Sequence, residues 1–442
     1  MTGHMPLLGQ IPGEIFTKWH HEYGPIFRIK MGVQNWLILG NAQIAHDILV
    51  SKGSVTVGRP EQTFLTKVHG KGGRGILMID YGKRWKNIRN VVLHILSPKS
   101  VDSLSSTIER ESEKGARHVM EVAELNGTID PLEFGRFIST NLMLAIAFNI
   151  PSAKDVDDPT FKEIVKFVKT NSSYADFTND ISEMVPILKL PEILLRRDRK
   201  MQRHVDNELC PFMRQIIKDA RESSGDSLVK KIDSIKEEYD IDETGVIFLM
   251  SEILHAESDS VGITTAWSIS LLCSYPDVQE KVYKEVNAFI KRHGRDSTFA
   301  DRKELPYFIA FEKECIRFRA AVDIGLPHKV FRDFNVITKG TIIYVNVNKL
   351  HSGPKLYING SHQSRDHFMF GWGRRICPGI YMTKTELFYT LIKLVSRCIT
   401  EPELSPDEER LYPDLQHGIN TGVSVTPLPF KIRLIKRDNS NY

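Results

Sequence analysis

The sequence has no Cys-x-x-Cys pair, no internal repeat, no low-complexity tract and no Gly/Pro/Ser-rich stretch that would divide domains. Its five cysteines, Cys210, Cys273, Cys315, Cys377 and Cys398, are scattered without regular spacing. That argues against a disulfide framework and for a reducing compartment. No charged-then-apolar leader opens the chain, and no apolar run approaches the ~18 residues of a membrane span. The Asn-Gly-Thr at Asn126 therefore does not read as a glycosylation site. Net charge is only +4, too slight a bias to argue for a nucleic-acid partner.

What is present suits a large core, since 41% of 442 residues are hydrophobic. Gly24–Gly40 alternates apolar and polar residues around a turn and reads as a β-hairpin. From about Tyr81 to Arg319 the patterns are mostly helical, with Phe161, Ile164, Val165 and Val168 on one helical face. Asp242 to Ser274 reads as one helix of about 33 residues, on the order of 50 Å long, stopped by Tyr275–Pro276. Further helices are predicted up to Gly294, from about Pro306, and from Gly379 to Arg397. "GLPHKVFRDFNVITKGTIIYVNV" returns to strand patterning with a turn at Lys339–Gly340, and "GVSVTPLPFKIRLIKR" closes the chain as β. The fold class is mainly α with small β-sheets: a single domain over residues 1–442 with its longest helix through the middle.

The stretch "HFMFGWGRRICPG" places Cys377 just ahead of a helix start. There the helix dipole and unpaired N–H groups lower a thiol's pKa. Gly373 and Gly379 let the backbone turn tightly and approach something bulky. Arg375 supplies a forked cation for a carboxylate. A lone cysteine cannot hold structural zinc or an iron–sulfur cluster. His351, His362 and His367 lack ligand spacing and read as solvated loop histidines. One axial thiolate, a close glycine backbone and a cation for a carboxylate together suit heme iron.

Phe370-x-x-Gly373-x-Arg375-x-Cys377-x-Gly379 resembles the heme-binding signature of the cytochrome P450 family. Other stretches resemble the family in the same order, from "EYGPIF" (Glu22–Phe27) to "TPLPFKIRLIKR" (Thr426–Arg437), and the texture is that of fungal microsomal members. The resemblance implies the cytochrome P450 fold, heme b, and Cys377 as the iron ligand. Trp85 and Arg89 of "WKNIR", His328 of "GLPH" and Arg375 would hold the propionates. Glu314 and Arg317 of "ECIR" would be a structural pair buried beneath the heme, although their spacing alone suits an exposed helical ion pair.

In the family the central helix carries (Ala/Gly)-Gly-x-(Asp/Glu)-(Thr/Ser), and "AESDS", Ala256 to Ser260, takes that place. The register "VGITT" would leave no acid at the fourth position. The resemblance implies that Ala256 lies over the heme and that Asp259 and Ser260 deliver the protons needed to split dioxygen. Glu257 stands where the family prefers glycine. Being about 100° round the helix from Ala256, it should stay out of the oxygen pocket, and it either stiffens the helix or joins the proton relay.

A second departure is the shortened segment at about 355–367. The family's Pro-Glu-Arg-Phe-like motif is missing there, and Arg365 is the nearest substitute for its arginine. A buried carboxylate short of one cation costs several kcal/mol, which predicts weakened heme retention.

The chain starts with "MTGHMPLLGQIPG", which resembles the end of the family's Pro/Gly-rich segment, so the usual N-terminal anchor is expected to be missing. Met184–Lys200 is an apolar stretch ending in cations that suits a bilayer surface as well as an ordinary buried loop. The resemblance implies a monomer on the cytosolic face of the endoplasmic reticulum membrane, or in the cytoplasm if no anchor belongs to it. Its donor would be NADPH–cytochrome P450 reductase, with cytochrome b5 as a second partner, docking on cations such as Lys83, Arg84, Lys86 and Arg374. The expected activity is a monooxygenase acting on a lipophilic organic substrate, in secondary metabolism or xenobiotic oxidation. The alternatives are a reductase-independent isomerase or peroxygenase on the same fold, and a non-catalytic heme-binding remnant.

Overall fold

The element that organises the molecule is the helix Glu243–Ser274. Asp242 caps it by accepting the Gly245 N–H at 2.7 Å, and Tyr275 and Pro276 end it, as the sequence predicts. It is buried along most of its length on every side, which is why its sequence shows no polar stripe. The computed structural model describes residues 2–70, 73–191, 197–352 and 368–437.

In chain order, helix α1 (Pro12–Tyr23) leads into strands β1 (Ile26–Met31) and β2 (Gln34–Leu39), the expected hairpin, turning at Gly32 and Val33. Helices α2 (Lys83–Ile95), α3 (Ser105–Asn126), α4 (Pro131–Met143) and α5 (Pro159–Ala175) follow, and then α6 (Cys210–Glu222). The central helix is α7; α8 (Pro276–His293) and α9 (Pro306–Phe318) come after it. Strands β3 (His328–Lys329) and β4 (Ile342–Val345) join the first sheet in the order β1-β2-β4-β3. Helix α10 (Ile380–Arg397) runs directly into β5 (Cys398–Leu404), which pairs antiparallel with β6 (Ile432–Lys436).

Two contacts set the site. The β2–β4 pairing is parallel, with Trp36 opposite Ile342 and Leu39 opposite Val345, so residues some 300 apart in the chain share one sheet. At the other end, α4 and α7 cross backbone to backbone. A Cβ at Gly135 would lie 2.5 Å from the Gly262 carbonyl oxygen, and one at Gly262 would lie 2.9 Å from the Arg136 Cα. The main core packs α7 residues such as Phe248, Leu249 and Met250 against Met382, Phe388 and Leu391 of α10. All five cysteines are free thiols.

Candidate active site: a thiolate cradle beside the central helix

The cysteine loop is shaped by two local constraints. Phe368 and Trp372 stack at 5.3 Å with planes 8° apart, and the Cys377 N–H donates to the Phe370 carbonyl at 2.7 Å. Gly373 sits at φ +55°, and a Cβ there would meet the Leu49 carbonyl oxygen at 2.4 Å, so both conformation and space require glycine. Gly379 is different. Its φ is ordinary and a Cβ would stand 3.8 Å from Cys377 Sγ, a normal contact. Nothing in the chain itself needs glycine there; the room it leaves lies beside the sulfur.

The sequence predicts a lowered pKa for Cys377, whereas the structure raises it to about 11. Burial outweighs the Gly379 N–H and the Arg89 charge, which pull the other way. Such a thiol becomes a thiolate when a metal takes the proton's place. The residue keeps partial exposure, as expected of a group lining an opening. Among the described residues no three His, Cys, Asp or Glu side chains gather as a metal site.

Next to the sulfur lies a group of cations. Trp85 and Arg89 are buried on one face of α2, and the Arg89 Nη2 donates to the Ile376 carbonyl. The Arg375 guanidinium stacks 4.2 Å over the Trp85 ring. It donates to the Val57 carbonyl at 3.0 Å and the Ile79 carbonyl at 2.9 Å. His328 is buried, donates from Nδ1 to the Thr56 carbonyl at 2.9 Å, and is held neutral by burial and by Arg59 beside it.

Arg59 was not singled out from the sequence, where "GRPE" looks like an ordinary loop. It is buried and bonds the Leu77, Leu326 and Pro327 carbonyls. Burial and the neighbouring Arg375 push its pKa down to about 9; burial likewise lowers Arg375, to about 10. Among the described residues no carboxylate hydrogen-bonds the guanidinium of Arg59, Arg89 or Arg375; Asp80 accepts only the Arg59 backbone N–H, at 3.1 Å. The Trp85 Nε1–H and Arg375 Nη1 are both buried without a partner, a cost of about 1–3 kcal/mol each if left so. Buried unpaired donors and arginines beside this thiol fit a heme, whose propionates they would hold and whose iron Cys377 would ligate.

On α7, Ala256 is exposed and Ser260 partly exposed in the middle of an otherwise buried helix, so this face lines the opening. Ser260 Oγ donates to the Ala256 carbonyl at 2.7 Å. Asp259 is turned off that face. Its Oδ1 accepts from Arg136 Nη2 at 2.7 Å, both groups being buried, and its Oδ2 has no partner. The Gly135–Gly262 crossing is what brings Arg136 so close, a long-range contact the sequence did not disclose.

Glu257 points away from the opening, as expected, and faces Glu386 of α10. Both are buried, and both pKa values are raised, first by burial and, for Glu386, then by the neighbouring carboxyl. No cation pairs with either among the described residues. Ser139 Oγ, on α4, donates to the Glu257 main-chain carbonyl at 3.0 Å. Burial without a cation favours the protonated form of both carboxyls.

Three expectations fare differently. Glu314 and Arg317 form their ion pair, Arg317 Nε donating to Glu314 Oε2 at 2.6 Å and Nη1 to the His351 carbonyl at 2.6 Å. The pair is not buried, however: half of the Glu314 side chain is exposed. It lies in the last turn of α9, where the spacing by itself suggests a surface pair. His351 is buried rather than solvated, because its ring packs on Phe368 and its Nε2 accepts the Phe368 N–H at 2.9 Å. Arg365, His362, His367 and the shortened segment at 355–367 lie outside the described residues.

With this geometry in hand, the comparisons are direct. The family model "Cytochrome P450" matches residues 1–434. Cytochrome P450 monooxygenase 58 of Postia placenta is 24% identical, over 98% of this chain and 88% of its own. The 3-hydroxyphenylacetate 6-hydroxylase of Emericella nidulans is 22% identical over the same shares. A zebrafish cytochrome P450 solved with abiraterone superposes with a TM-score of 0.77 at 21% identity, covering 96% of this chain and 100% of that one. One solved with progesterone gives 0.79, covering 96% and 99%. The chain belongs to the cytochrome P450 family.

Proposed function

We propose that this P450 is a monooxygenase carrying heme b, with Cys377 on the iron and Trp85, Arg89, Arg375 and His328, together with Arg59, around the propionates. The observation that carries the assignment is the pair of buried, partnerless donors, Trp85 Nε1 and Arg375 Nη1, next to the partly exposed Cys377 thiol. When bound, the heme supplies dioxygen activation, one oxygen atom entering the substrate and the other leaving as water.

The protein's own part is to place and proton-load the site. Ser260 holds a proton on Oγ at the lining face and parks it on the Ala256 carbonyl. Asp259 is fixed by Arg136 through one carboxyl oxygen, and its other oxygen has no protein partner. The alternation of a mobile hydroxyl and a fixed carboxylate supports proton delivery by these two residues.

Electrons come from an NADPH-dependent reductase, with cytochrome b5 as a second donor. Lys83, Arg84, Lys86 and Arg374 support this docking: all four are exposed around the buried Trp85, on the side of the cysteine loop. The substrate is lipophilic and the enzyme a monomer at the cytosolic face of the endoplasmic reticulum membrane. No helix among the described residues is long and apolar enough to cross a membrane. Support for surface attachment comes from Ile187, Leu190 and Val33, exposed by 68%, 70% and 60%. The Val33 N–H donates to the Met184 carbonyl at 2.7 Å, so hairpin tip and apolar stretch share one surface.

The test is turnover of a panel of lipophilic substrates by purified holoenzyme. NADPH with reductase should give oxygenated product. Turnover with hydroperoxide alone would instead favour an isomerase or peroxygenase, and no turnover with either would favour a heme-binding remnant.

A further inference from the structure

Asp259 is buried and tied to Arg136, so protons reach it only through a neighbouring group. Between Gly245 and Cys273 of α7, only Ile253, His255, Ala256 and Ser260 are not buried. His255 is the one titratable side chain among them. It lies one turn before Asp259, on the same face of the helix. Neither the cofactor site nor the Asp259–Ser260 pair gives it a role.

The imidazole is held in one place. Its Nε2 pairs with Ser172 Oγ of α5 at 3.0 Å, and Nδ1 has no protein partner among the described residues. His255 also lines a cavity of about 10 Å³ between α5, α6 and α7, whose walls include Val168, Met213 and Leu254. That is the space of about one water. The cavity's other polar groups are Asn171 and Ser251, each anchored from behind. His204 Nε2 donates to Asn171 Oδ1 at 3.1 Å, which leaves the Asn171 amide N–H groups for the cavity. His69 Nε2 donates to Ser251 Oγ at 3.4 Å, and that hydroxyl donates to the Phe248 carbonyl at 2.9 Å. Three such partners are enough to hold one water. Burial, opposed by Asp259 and seconded by Arg136, lowers the pKa of His255. Burial also lowers His69 and His204 and raises Glu252, the other titratable groups of this cluster.

We propose that His255 relays protons from water to Asp259, its ring held by Ser172 and by one water bound in the cavity to Asn171 and Ser251. A neutral imidazole both accepts and donates a proton, which suits it to the task. In each cycle the ring takes one proton from solvent and gives one to Asp259, so it ends in the charge state in which it began. Asp259 hands that proton on toward Ser260. The delivery rests on the proposed monooxygenase activity; the cavity water does not.

The first readout is solvent exchange of the His255 ring N–H, followed by magnetic resonance with isotope-labelled histidine in the reduced holoenzyme under carbon monoxide. Asn171→Leu fills the cavity and should slow that exchange about tenfold or more. Asn171→Ser keeps a hydroxyl there and should stay within a few-fold of wild type. The second readout is oxygenated product per NADPH, measured in ordinary and heavy water on the best substrate of the lipophilic panel. His255→Gln keeps a hydrogen-bonding side chain but takes up no proton. It should bind heme and substrate as wild type does, lose about tenfold in product per NADPH, and show a larger solvent isotope effect. If either variant does not fold, Ser251→Val for the cavity and His255→Asn for the relay take their places with the same expectations. Unchanged exchange in the cavity-filling variant, or unchanged product per NADPH without the imidazole, overturns the relay. A wild-type protein without a thiolate-type carbon monoxide band would overturn the heme assignment and the relay with it; a normal band with unchanged coupling overturns the relay alone.

Discussion

Two clusters of buried charge lie within electrostatic reach of Cys377, and they are balanced by opposite means. On one side Arg59, Arg89 and Arg375 bond backbone carbonyls and leave donors unused. On the other, Glu257 and Glu386 face each other with no cation among the described residues. Even lowered to about 9 and about 10, Arg59 and Arg375 stay mostly protonated at neutral pH, so this cluster suits an anion from outside the chain. A carboxyl can take one up, so the acidic cluster is completed by a proton from water. The proposed function makes the first arrangement a binding site and the second a proton store.

The largest expected effect comes from breaking the cationic side. Arg375→Ala removes the guanidinium over Trp85 and strands the Val57 and Ile79 carbonyls. We expect heme incorporation per purified chain to fall tenfold or more and unfolding free energy by about 2–4 kcal/mol, read by heme absorbance and urea titration. The acidic side responds the other way. Glu257→Gln removes one of two facing acids and should leave the fold as stable as wild type or about 1–3 kcal/mol more stable at pH 8.

The pH dependence follows from the same raised pKa values. The folded chain holds protons here that the unfolded chain releases above about 4.3. This contribution is complete below that pH and is lost as pH rises toward the folded values, by about 1.4 kcal/mol per pH unit for each retained proton. Urea titrations at pH 6 and pH 8 should show wild type losing more stability than Glu257→Gln; equal losses would mean the pair holds no proton. The smallest change is Trp85→Phe, which deletes one partnerless N–H but keeps the ring beneath Arg375. Heme transfer to a scavenger globin should quicken only several-fold, about 1 kcal/mol.

These contrasts also mark what could be read before folding. The cysteine loop was legible because its constraints are local: Gly373 must be glycine for its φ, and Phe370 receives the Cys377 N–H within the same turn. The central helix was legible to its cap, and Ala256 and Ser260 share its exposed side. The partners of its acids were not. Arg136 and Glu386 lie on other elements, and nothing in their own neighbourhoods sets them apart. The parallel β2–β4 pairing was hidden for the same reason. His351 looked solvated because its cover, Phe368, follows a segment that the helical and strand patterns do not describe. Glu314 and Arg317 show the reverse, since their spacing alone indicated the surface pair that the structure holds.

The account depends most on the sulfur of Cys377 being the ligand of a heme iron. The direct measurement is the carbon monoxide difference spectrum of the reduced protein beside that of Cys377→Ser. Wild type should give the red-shifted band of thiolate ligation, and the serine variant should lose it. The same spectrum from both proteins would contradict the account.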